Sequence, residues 1–183
     1  MARSGDVISS PVIGETITFE QTAKDTDGAL LRFAVVQRPG AKGPAMHLHA
    51  RQEERLAVVS GTMRVLLGER ELELRDGEEV VVPPGVPHRW WNGGAGPLRA
   101  VNEFRPALQM ERFFETIYGL ARDGKTDADG VPPLLQLALL TEYEIFLPKP
   151  PVPVQRVVLG LLAPVARLRG YRARYPAYSR DEV

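Results

Sequence analysis

The stretch Met46 to Gly61, MHLHARQEERLAVVSG, decides how this chain is to be read. It holds His47 and His49, two of the three histidines in 183 residues, separated by a single leucine. Successive side chains of a β-strand point to opposite faces, so this spacing turns both imidazoles the same way. Glu54 follows at the head of the apolar run Leu56 to Val59, which stops at Gly61. Glu53 has the other parity and reads as its solvated neighbour. The third histidine, His88, ends the loop of GEEVVVPPGVPHRWWN, Gly77 to Asn92, where Pro83, Pro84, Gly85 and Pro87 stiffen the chain that aims it. A rigid loop lowers the entropy lost in holding a side chain still. Imidazole nitrogens with one carboxylate suit iron, manganese, nickel, cobalt, copper or zinc as divalent ions. Calcium and magnesium prefer all-oxygen sites.

Short alternating segments spread outward from this stretch. Ile13, Ile17 and Phe19 share a parity with Glu15. Leu30 to Gln37, Glu54 to Ser60, Thr62 to Leu67, Glu71 to Arg75, Glu79 to Val82, His88 to Asn92 and Leu98 to Phe104 read as strands between Gly-, Pro- and Asp-rich turns. Strands this short at such even spacing predict an all-β sandwich or barrel. After Pro106 the period becomes helical, with Met110, Phe113, Phe114, Ile117, Tyr118 and Ala121 on one face. A second helix is expected from Leu134 to about Phe146, opened by Pro132 and Pro133. A third is expected from Val154 to about Arg169, bent at Pro164 and buried, because it is apolar almost all round.

The two histidine stretches read H-x-H-x4-E-x6-G and G-x5-P-x-G-x2-H-x3-N. These resemble the two signature motifs of the cupin superfamily, over roughly residues 30 to 105. The family's first motif usually has five residues between its glycine and first histidine; here Gly40 leaves six and Gly43 three. That touches the loop and not the ligands. The resemblance implies a mainly β fold: a jelly-roll barrel in residues 1–106 around a metal held by His47, His49, Glu54 and His88. Residues 107–183 would form about three α-helices packed on the barrel or at a homodimer interface, without a separate core. Inward parity nominates Leu56 and Val58 beside Glu54, and Trp90 and Asn92 beside His88, as the lining of a largely apolar substrate pocket. The expected function is a metalloenzyme of dioxygenase or oxygenase type acting on a small apolar or aromatic molecule. By analogy with flavonol-cleaving cupins, Glu54 would also take a proton from substrate. The alternatives are a cupin that only binds a small molecule, or a cupin-type isomerase or epimerase.

Composition narrows the setting. Apolar residues are 44% and charged residues 25%, as in globular proteins, and the formal net charge of zero gives no reason to expect nucleic acid. With no cysteine, thiolate metal sites and disulfides are excluded. No run approaches the roughly 18 to 20 apolar residues of a membrane span, and a cytoplasmic location is expected. The stretch Lys149 to Arg180 has seven basic residues and no acid: Lys149, Arg156, Arg167, Arg169, Arg172, Arg174 and Arg180. A solvated end on a packed helix is the favoured reading of this tail, ahead of membrane contact.

Overall fold

The structure is a computed structural model, and it describes residues 1–179; Arg180 of the basic tail lies outside the described residues. Three sheets build it. The largest joins β1 (Val7–Ser10), β2 (Glu15–Gln21), β3 (Leu31–Gln37), β10 (Leu98–Arg105), β5 (Glu53–Ser60) and β8 (Glu79–Val82), side by side in that order. A three-stranded sheet orders β7 (Arg70–Leu74), β6 (Met63–Leu67) and β9 (His88–Asn92). The smallest pairs β4 (Leu48–His49) with β11 (Ile145–Phe146). Its neighbour pairs are antiparallel throughout, and β10 lies between β3 and β5 with Asn102 opposite both Phe33 and Leu56. The chain is thus mainly β, as expected, with helices after the strands. Among the described residues the strand pairing does not run in one closed ring. An isolated bridge between His47 and His88 ties the β4 segment to β9.

Alternation explains the core. On β2, Glu15, Ile17 and Phe19 are buried while Thr16 and Thr18 are less so. Ile17, Phe19, Phe33, Leu56, Met63, Val65 and Leu98 form one apolar cluster drawn from both larger sheets. Gly43 is required in the loop before β4. It has φ +64°, and a Cβ there would stand 1.9 Å from the carbonyl oxygen of Trp90.

Helix α1 (Met110–Arg122) carries the expected apolar face. Phe114 meets Phe33 edge-on at 5.0 Å between ring centres and Phe104 at 6.1 Å. Gly124, at φ +67°, follows its end, and the amides of Gly124 and Lys125 close the last turn on the carbonyls of Ala121 and Leu120.

The second helix is shorter than its apolar pattern predicts. α2 covers Leu134–Leu140, a 3-10 turn follows, and Glu144 at φ 62° breaks the helical path. The chain then becomes β11, so Ile145 and Phe146 lie in a strand and not in a helix. The cause is tertiary: β11 pairs with β4, Ile145 opposite His49, and Ala50 donates its amide proton to the Glu144 carbonyl at 2.8 Å. Helix α3 (Val152–Leu168) has Pro153 in its first turn and Pro164 inside it. It is not buried as its composition suggests. Gln155, Leu159 and Ala166 are its buried residues, while Val157, Leu161 and Leu168 stand in the open.

Candidate metal centre

Three separate pieces of chain meet at the site. His47 and His49 come from the β4 segment, Glu54 from β5 and His88 from the start of β9. One ligand atom from each lies within 4.8 Å of the others. His49, Glu54 and His88 are buried and His47 half-buried. Glu53 is more exposed than Glu54, as strand parity requires.

Backbone carbonyls orient two of the rings. His47 Nδ1 lies 2.8 Å from the Ala45 carbonyl and His88 Nδ1 2.9 Å from that of Val86. A proton on each Nδ1 leaves the Nε2 lone pair free for a ligand. Those Nε2 atoms converge. His47 Nε2 is 3.2 Å from His49 Nε2, and Glu54 Oε2 is 3.3 Å from His49 Nε2 and 2.8 Å from His88 Nε2. Burial, helped by the two neighbouring imidazoles, lowers the His47 pKa to about 3, so this ring is neutral near pH 7. Burial also pulls His49 down. His88 is held above its ordinary value despite burial, because Glu54 accepts its proton. Burial alone would raise Glu54, but hydrogen bonds from His49 and His88 outweigh it and hold the carboxylate well below the usual range. Three imidazoles and an ionised carboxylate buried this close together fit a divalent transition metal, which would take the place of the protons that His49 and His88 share with Glu54.

The site forms part of the wall of a cavity of about 300 Å³. His47, His49, Glu54 and Trp90 line it, together with Phe33, Asn102, Phe104, Met110, Phe114 and Tyr118. Of the four residues nominated for the pocket, only Trp90 reaches it. Leu56 and Val58 are core side chains. They stand two and four residues along β5, about 7 and 13 Å from Glu54 at roughly 3.3 Å per residue. Asn92 is buried in a structural role, donating to the carbonyls of Arg38 at 3.2 Å and Gly96 at 2.8 Å.

Residues beyond those nominated complete the wall. Asn102 donates to Glu54 Oε1 at 3.2 Å. Its inward parity with Ala100 and Phe104 on β10 is the signal that could have found it. Glu15 accepts hydrogen bonds from Tyr118 and from Gln37 Nε2, the latter at 2.9 Å. Burial pushes the Glu15 carboxyl up, its two donors offset part of that rise, and the charge of Glu54 adds to it. Tyr118 could not be paired with Glu15 from sequence, since they are 103 positions apart.

Fold, motif and donor set resemble those of a cupin. Residues 33–102 match the family model described as a cupin domain, so the chain carries a cupin domain over that stretch. It is similar to a probable oxidoreductase, VirH, of Hypocrea virens: 26% identical over 155 residues, 78% of this chain and 70% of that protein. It is also similar to an oxidoreductase of Arthrobotrys oligospora: 29% identical over 169 residues, 82% of this chain and 64% of that one. The chain thus spans only about two thirds of the length of these relatives. Among solved structures, an RmlC-like cupin from Shewanella frigidimarina shares the fold, with 20% identity and a TM-score of 0.50 over 61% of this chain and 92% of the other. No helix among the described residues is long and apolar enough to cross a membrane.

Proposed function

We propose that the protein is a metal-dependent oxidoreductase of the cupin type, with dioxygenase or related oxygen chemistry on a small apolar or aromatic molecule. The observation that carries this reading is the convergence of His47, His49, Glu54 and His88, the first three of which line an aromatic-walled cavity. The oxidoreductase names of two relatives support the reaction class. In this reading the four side chains hold one divalent transition metal. When bound, that metal supplies redox and Lewis-acid chemistry.

The chain's own residues do the rest. Phe33, Phe104, Phe114 and Trp90 offer an aromatic substrate apolar faces and keep water from the reacting atoms. Asn102 fixes Glu54 Oε1 and so sets the direction of the carboxylate. Glu54, ionised in the site, is the carboxylate that would take a proton from substrate. Glu15 and Tyr118 are the polar pair elsewhere on the wall, and they orient a polar group of the substrate.

Two measurements test the reading. Metal analysis of protein purified without a histidine tag should find close to one transition-metal ion per chain, and His49→Ala, Glu54→Ala and His88→Ala should each lose most of it. Full occupancy in all three variants would rule the site out. Oxygen uptake is then followed with iron-, manganese-, nickel- and copper-loaded protein over flavonols, catechols and diketones. No uptake with any metal, beside tight binding of one unchanged compound, would replace the enzyme reading by a binding function.

A further inference from the structure

Helix α3 turns one side into the protein and leaves the other bare. Gln155, Leu159 and Ala166 are its buried residues. Val154, Val157, Leu161, Val165 and Leu168 are all exposed, Leu161 by 74% and Leu168 by 88%. At 3.6 residues per turn these five fall within an arc of about 80°, turned away from the buried three. The bare surface does not stop at the helix. Leu134, Leu147 and Val158 are also exposed, and all three line the cavity that His47 and His49 line. An apolar surface therefore runs from the face of α3 to the cavity rim.

Charge surrounds this surface. Between Ile145 and Ser179 the chain has Lys149, Arg156, Arg167, Arg169, Arg172 and Arg174, and no acidic residue. Arg156 is engaged by Glu144 and stacks over Phe146. Lys149, Arg167, Arg169 and Arg172 are exposed and make no ion pair among the described residues. A second copy seated on α3 about a two-fold axis would bring the same patch against itself, arginines included. A surface that is apolar beneath and anionic at its boundary satisfies both the leucines and the arginines.

We propose that α3 and the basic segment after it dock the protein on an anionic lipid bilayer. The helix lies in the boundary between headgroups and acyl chains, with Leu161 and Leu168 inserted and Arg167, Arg169 and Arg172 among the headgroups. The cavity rim then faces the lipid. An apolar compound dissolved there enters without crossing water; this last clause rests on the proposed function, whereas docking itself does not.

The test is flotation of the full chain with vesicles of phosphatidylcholine alone or with about a third phosphatidylserine. Wild type should float with the serine-containing vesicles at low salt, stay behind with phosphatidylcholine alone, and be released at about 0.5 M salt. Replacing Arg167, Arg169 or Arg172 by Gln should weaken binding about fivefold each. Leu161→Glu with Leu168→Glu should abolish binding and leave thermal melting unchanged, since both side chains stand in water. His49→Ala should bind vesicles like wild type, which separates this surface from the metal centre. Absence of binding to anionic vesicles at low salt would overturn the proposal. So would binding indifferent to the leucine pair, or a wild-type dimer that the leucine pair splits while no vesicle is bound; in that case a second copy covers the face.

Discussion

Asn102 reaches across from β10 to Glu54 Oε1 at 3.2 Å, while Glu54 Oε2 faces the imidazoles of His49 and His88. One carboxylate oxygen is thus tethered by the protein and the other is presented to the site. Partners of this kind fix a ligand's orientation without touching the metal, and removing one typically costs about 10- to 100-fold in affinity. Asn102→Ala is expected to weaken metal binding by that margin in a chelator competition while the chain stays folded. An unchanged metal affinity would make Asn102 a packing residue only. The same logic separates Trp90 from Leu56 and Val58. All three are buried and face inward, but only the indole is both near enough and long enough to form part of the cavity wall.

At the scale of elements, Glu103 clamps the centre of the large sheet. It stands opposite Arg32 of β3 and Arg55 of β5, and its carboxylate lies 2.5 Å from Arg32 Nη1, 2.5 Å from Arg105 Nη1 and 3.4 Å from Arg55 Nη1. Burial would raise its pKa, but hydrogen bonds from Arg105 and Arg32 outweigh burial and lower it. A depressed folded-state pKa means that the unfolded chain takes up the proton first as the solution is acidified. The stabilisation is therefore complete above the ordinary carboxyl value of 4.5 and is lost as pH falls through the lower folded value. Glu103→Gln should lose about 1–3 kcal/mol near pH 7. In chemical denaturation the gap between wild type and variant should narrow as the pH falls from 7 to below 4.5. A gap that stays constant across that range would show that shape and not charge holds the clamp.

The whole molecule ties the helical part to the candidate metal centre. β11 pairs with the short strand carrying His49, and Phe113 and Phe114 pack against the barrel core. Chain beyond Pro106 thus supports the strand carrying His49 and supplies cavity wall. A chain ending near Pro106 would expose Phe33 and Phe104, now 1% and 2% accessible, to water on the side α1 covers. It is expected to aggregate and to bind metal poorly, as scattering and metal analysis would register. A truncated barrel that stayed monomeric, as heat-stable as the full chain and fully metal-loaded would show that residues 107–183 are dispensable to the site.

The sequence by itself determined the class of fold and the nominated donor set. A period of two in the strands and the spacings H-x-H-x4-E and P-x-G-x2-H are local properties, and local spacing decides which side chains share a face. Glu15 showed its inward parity the same way. The tertiary structure decided what local spacing cannot express. The apolar run after Leu134 is equally good for helix or strand, and β4, with an open edge, drew Ile145 and Phe146 into a strand. α3 has the composition of a buried helix, yet nothing among the described residues covers Val157, Leu161 or Leu168. Burial depends on what lies opposite in space. Of the inward-facing residues, Glu15, Phe33 and Asn102 line the cavity while Ile17, Phe19 and Leu31 lie in the core, because what an inward side chain meets is set by where distant elements close over the sheet.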